Sequence, residues 1–183
     1  MNTQTVKRIT KIIWQNTTKD SSLQIYGVLD SARNEGIHPQ LRNNAPAALS
    51  LFQGSRAQEL ALVAPYLVHL SPDELFTKWF LKNGWGDKWG ILCETSEDTT
   101  LLRRHFQKIL TVYNDKGKPL YFRFYDPRVL GVYLESASPE DLKKIFGSIQ
   151  SFYVEGNTPD SLTQYLFSAD QLIKRNLDLP TTG

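Results

Sequence analysis

The chain has 183 residues, 40% of them hydrophobic and 22% charged, which suffices to bury a core and excludes wholesale disorder. Lys and Arg number 21 against 19 Asp and Glu, a near-balance that argues against a dedicated nucleic-acid binder. A lone cysteine, Cys93, excludes an intrachain disulfide and a thiolate metal cluster, and the longest apolar run, Leu60 to Leu70, contains Pro65 and is too short for a bilayer.

Residues 1–23 read as an N-terminal segment with a short helix or strand near Val6 to Trp14. Its apolar stretch Ile12-Ile13-Trp14 is too brief for a signal sequence, so a soluble cytoplasmic protein is expected. Gln24 to Asp30 is the first strand, rich in β-branched and aromatic residues. A helical turn follows at 38–44, a short strand at Ala47 to Phe52, a helical piece at Leu60 to Ala64 and a strand at Tyr66 to Leu70. Ser71-Pro72-Asp73-Glu74 carries an N-cap serine, a first-turn proline and a capping-box glutamate, with Leu70 and Leu75 placed as a staple. That helix should stop at Asn83-Gly84. Trp89 to Glu94 reads as strand and Glu97 to Leu110 as helix, with Leu101, Leu102, His105, Phe106, Ile109 and Leu110 on one face. Arg103, Arg104, Gln107 and Lys108 take the other face.

Thr111-Val112-Tyr113 and Leu120 to Tyr125 are expected to pair as a hairpin across Asn114 to Lys118. The second of these, with Phe122 and Phe124 on one side and Tyr121 and Tyr125 on the other, is expected in or near the centre of the sheet. Asp126 is placed to cap a helix that Pro127 begins, and Arg123 and Arg128 flank it as pairing partners. Ser138-Pro139-Glu140-Asp141 opens a further helix that ends at Gly147, and Ile149 to Val154 is a strand. Thr158-Pro159-Asp160 opens a last helix, Asp160 to Arg175, whose apolar positions Leu162, Tyr165, Leu166, Ala169, Leu172 and Ile173 follow the helical period. The expected class is α/β (α+β): a mixed sheet of five to seven strands, helices packed on it and a C-terminal amphipathic helix.

Chemistry-bearing motifs are sparse. His38, His69 and His105 have no metal spacing, and no glycine-rich phosphate loop or nucleophile elbow is present. No cofactor is expected. Cys93 sits among apolar strand residues and reads as an inert buried thiol rather than half of a dyad with His105. Residues 103–128 carry a net charge of +5, leaving −3 elsewhere. Such a segment attracts phosphate or an acidic protein surface, or is simply a solvated face. Arg123 between Tyr121 and Tyr125 suggests an RNA-stacking platform, but the motif that goes with one is absent. A small hydrolase or nuclease using Asp30, Asp126 and the arginines remains an alternative, as does a nucleic-acid-binding domain using the basic segment.

Phe122-Arg123-Phe124-Tyr125-Asp126-Pro127-Arg128-Val129-Leu130 resembles the signature of the bacterial type VI secretion effector chaperone, or adaptor, family. Tyr26 to Ala32, Leu51 to Gly54, Ala64 to Val68, Trp79, Gly84 to Gly86, Trp89-Gly90 and Leu102 to Phe106 are similar to its other segments in the same order. The resemblance implies a non-enzymatic protein without a cofactor. It would bind a toxic effector in the cytoplasm and help load it onto the VgrG spike, with no nucleic-acid, membrane or small-molecule partner. It places the chaperone-like domain at 24–154 and leaves 155–183 as a helix and tail, a reduced form of the family's second lobe. Arg104, Arg123, Asp126 and Arg128 fall on its motif positions, with a structural role first. Arg103 and Lys108, with Leu162, Tyr165, Leu166 and Leu172 on the expected helix, are the candidates for contact with a partner.

Overall fold

The computed structural model describes residues 3–113, 116–156, 158 and 161–178. Among them, nine strands and seven α-helices build a three-layer α+β fold. β1 (Gln24–Asp30) is apolar on both sides, because Ile25 and Leu29 alternate with Tyr26 and Val28 along an extended backbone. It lies between β3 (Pro65–Leu70) and β4 (Gly90–Thr95), antiparallel to both. The sheet continues through β7 (Ile149–Glu155), β8 (Ser161–Ser168) and β9 (Gln171–Asp178), with the two-residue β2 (Leu49–Ser50) at the far end. Its order is β2-β3-β1-β4-β7-β8-β9, and every neighbour is antiparallel where a mixed sheet was expected.

Helices cover both faces. α1 (Thr3–Ile13), α2 (Ile37–Asn44) and α4 (Leu75–Gly84) bury Ile9, Ile13, Ile37, Phe76 and Phe80 against Ile25, Leu29, Val68 and Tyr153. Trp85 and Trp89 anchor the turn after α4 to that core. The one-turn α3 (Ser55–Glu59) buries nothing. On the opposite face α5 (Thr99–Ile109), α6 (Pro127–Ser136) and α7 (Pro139–Phe146) bury Leu102, Phe106, Leu130, Leu134 and Phe146 against Tyr26, Val28, Cys93 and Phe152. Ser138 caps α7 by accepting from the Asp141 N–H, and Gly147, at φ 53°, ends it. The capping expected at Ser71 does not form. Leu70 is held at the end of β3, residues 71–74 make a turn closed by Glu74 N–H to the Ser71 carbonyl, and Leu75 is exposed rather than stapled.

Two larger expectations are corrected. Residues 120–125 are not a central strand: β6 (Pro119–Tyr121) pairs only with β5 (Thr111–Tyr113) in a separate ribbon. After the Phe122 N–H reaches the Leu110 carbonyl, the chain leaves that ribbon. Phe124 then stacks on Phe106 with centroids 5.1 Å apart. The C-terminal amphipathic helix is instead the β8–β9 hairpin, whose turn residues Ala169 and Asp170 both have positive φ. The expected helix opening at Pro159 and Asp160 lies outside the described residues.

Candidate functional site

The aromatic-arginine segment forms a corner rather than a strand. The Asp126 N–H bonds the Arg123 carbonyl in a tight turn, and Asp126 then caps α6 by accepting from the Arg128 N–H at 3.0 Å. Pro127 supplies the fixed φ of the first helical turn. The Arg128 guanidinium grips the same carboxylate in a fork, Nε to Oδ1 at 2.9 Å and NH2 to Oδ2 at 2.6 Å. Burial works to raise the Asp126 carboxyl, but the Arg128 hydrogen bonds outweigh it and hold the group below its ordinary value.

Arg123, expected beside Asp126, pairs instead with Asp30, NH2 to Oδ2 at 2.6 Å. Asp30 ends β1 and caps the short 3₁₀ turn Ser31–Arg33 through the Ala32 N–H. The corner is thereby bolted to the first strand, 93 residues earlier in the chain. The bond to Asp30 raises the Arg123 guanidinium further above its ordinary value. Asp30 and Asp126 are both buried while their arginines are about half exposed. Each carboxylate is thus a structural anchor with a solvated partner.

Beside the corner opens a cleft of about 430 Å³ lined by Lys88, Arg128, Glu135, Glu155, Tyr165 and Lys174. Glu155 ends β7 and accepts the Lys88 N–H at 3.1 Å, and burial pushes its carboxyl up to about 7. Glu135 of α6 accepts from the Tyr165 hydroxyl and the Lys174 ammonium, each at 2.7 Å, and the two bonds hold its carboxyl low. The sequence offered no signal for either: Glu135 meets Tyr165 and Lys174 only when β8 and β9 are strands, and Glu155 meets Lys88, 67 residues earlier in the chain.

The remaining candidates divide. Arg104 and Lys108 are exposed on α5. Arg103 turns inward, and its Nε donates to the Ser50 carbonyl at 2.8 Å. With Arg104, Phe52 and Gly54 it lines a groove of about 570 Å³. Leu162 and Tyr165 are buried in the two cores, and Leu166 and Leu172 are half-buried on the hairpin. Cys93 is buried, with its thiol pushed up by desolvation, and His105 Nε2 donates to the Ile145 carbonyl at 2.9 Å. No group of three His, Cys, Asp or Glu side chains among the described residues is placed to hold a metal ion. No described helix is long and apolar enough to cross a membrane.

Comparison with known families places the chain. It belongs to the family described as Domain of unknown function (DUF4123), whose profile matches residues 25–144, about two-thirds of its length. That family is associated with type VI secretion effector adaptors. The matched span runs from β1 into α7 and includes Asp30, Arg123, Asp126 and Arg128, while β7, β8 and β9 lie beyond it. Neither the curated proteins nor the solved structures contain a match.

Proposed function

We propose that this chain is a non-enzymatic adaptor that binds a secreted toxic effector in the bacterial cytoplasm and helps load it onto the VgrG spike of the type VI secretion system. The observation that carries this reading is the family match over residues 25–144. The chemistry of the motif supports it, since Asp30 and Asp126 are engaged in capping and in ion pairs that fix the fold. The partners in this reading are two proteins, effector and spike, with no nucleic acid, lipid or small-molecule substrate.

The test is recovery of the tagged full chain from its native bacterium, with mass spectrometry of what accompanies it, followed by reconstitution from purified components. A secreted toxin and the spike protein are expected, and the purified toxin should form a stable complex with the chain. Failure of that toxin to bind in reconstitution counts against the adaptor role. A turnover reaction abolished in a folded Asp126→Ala variant would replace it with an enzyme.

A further inference from the structure

The two ends of the main sheet are finished differently. At one end β2 is two residues long, and α5 covers the backbone around it: Arg103 donates to the Ser50 carbonyl and Gln107 Nε2 to the Leu51 carbonyl. At the other end β9 runs for eight residues, and no described residue pairs with its outer side.

The hairpin turn determines which main-chain groups that leaves open. Ala169 and Asp170 form a two-residue turn, so Ser168 and Gln171 are the hydrogen-bonded pair that closes it. Bonded pairs then recur at Ile173, Arg175 and Leu177. Leu172, Lys174 and Asn176 therefore direct their N–H and C=O groups away from β8. A row of such groups is a template for a further strand.

The side chains define the complement. Lys174 is already paired with Glu135. Ile173 and Arg175 lie on the other face, where Ile173 is 37% exposed and Arg175 is exposed with no ion pair among the described residues. A strand laid along β9 meets an aliphatic side chain and, two residues on, an uncompensated guanidinium. A second copy of this chain is a poor complement. With even-numbered residues facing out, the two symmetric antiparallel registers of greatest overlap set Lys174 against Lys174 or Arg175 against Arg175.

We propose that the outer edge of β9 is a docking strand that takes an extended segment of the protein partner, one with an apolar residue and a carboxylate two positions apart, as an eighth strand of the sheet. The identity of that partner as an effector rests on the adaptor reading above, while the edge chemistry stands on its own.

The probe is a fluorescein-labelled peptide, Thr-Val-Thr-Val-Thr-Glu-Thr-Val-Thr, titrated with the full chain by anisotropy. Lys174→Pro removes an outward N–H without breaking a main-chain bond to β8, but it also removes the ion pair to Glu135, so Lys174→Ala is its control. Lys174→Ala should bind the peptide like wild type, and Lys174→Pro should melt close to Lys174→Ala and bind at least about tenfold more weakly. Arg175→Glu should weaken binding of this peptide and strengthen binding of its Lys-for-Glu counterpart. A peptide N-methylated at alternate amides, which needs no protein variant, should lose binding. Undiminished binding by folded Lys174→Pro or by the N-methylated peptide overturns the proposal, as does indifference of Arg175→Glu to peptide charge or no binding by wild type. An effector captured equally well by wild type and folded Lys174→Pro overturns the edge and leaves the adaptor role standing. Failure of the effector to bind wild type, with the peptide still binding at β9, overturns the adaptor role alone.

Discussion

Asp30 and Asp126 show why a conspicuous charged motif can be architectural. Each carboxylate is buried, each accepts a main-chain N–H at the start of a helical turn, and each meets a guanidinium that stays half in water. A solvated arginine costs little to keep, so most of the stabilisation resides in the cap and in avoiding an unpaired buried acid. Asp126→Ala is expected to cost on the order of 1–3 kcal/mol in chemical denaturation. Asp126→Asn, which keeps an oxygen for the Arg128 N–H, should cost clearly less, and equal losses would show that the ion pair, not the cap, carries the effect. Gly90 is constrained for a different reason. A Cβ there would sit 2.3 Å from the Val28 carbonyl oxygen across the β1–β4 ladder. Gly90→Ala should therefore destabilise by roughly 1–3 kcal/mol, through a forced shift of two central strands, and a wild-type melting temperature would contradict the close approach.

At the scale of elements, the hairpin is the most instructive part. Leu162, Tyr165, Leu166, Leu172 and Ile173 happen to fall at helical spacing, yet they form β8 and β9. β8 is covered on both faces, with Leu162 in one core and Tyr165 in the other, so it lacks the polar alternation that marks a half-buried strand. Its turn, Ala169-Asp170, also lacks the glycine that usually announces such a hairpin. The same cause hid one wall of the cleft, since Glu135 gains Tyr165 and Lys174 only when this segment is a strand pair, whereas Glu155 was hidden by its distance along the chain from Lys88. By contrast β1, α7 and the Asp126 cap were legible, because a β-branched run, a Ser-Pro-Glu-Asp start and an Asp-Pro step each act within a few residues. The Arg123–Asp30 bond was not, since nothing local selects a partner 93 residues away. Ala169 holds φ 50°, a conformation that costs a residue bearing a Cβ about 1 kcal/mol. Ala169→Gly relieves that cost but adds about 0.5–1 kcal/mol of backbone entropy lost on folding, so its melting temperature should lie at or slightly above that of wild type, and a clear drop would contradict the strain. Deleting residues 158–183 should unfold or aggregate the chain, because β8 closes the β7 edge and fills both cores. A monomeric, cooperatively melting truncation would show the five-stranded remainder to be self-sufficient.

For the molecule as a whole, two buried carboxylates pull the pH dependence of stability in opposite directions. Asp126 is held below its ordinary value of 3.8, because the Arg128 hydrogen bonds outweigh burial. Its contribution is present above that value and is lost as pH falls through the folded-state value. Glu155 is pushed up from 4.5 to about 7, because burial outweighs the Lys88 N–H and the Lys88 ammonium 4.0 Å away. The folded chain then holds a proton that the unfolded chain has released, so stability declines as pH rises from about 4.5 to about 7. The decline attributable to Glu155 is on the order of 1–3 kcal/mol. Glu155→Gln stays neutral throughout, so it should abolish that decline and leave the acid limb intact. Denaturation midpoints measured from pH 3 to 8 check this. Wild type and Glu155→Gln should diverge progressively between about pH 5 and 7 and run parallel below about pH 4. Parallel curves across the upper window would mean that Glu155 ionises in the folded chain as readily as in the unfolded one. Water would then reach the Glu155 carboxyl itself, despite its burial between the end of β7 and the turn after α4.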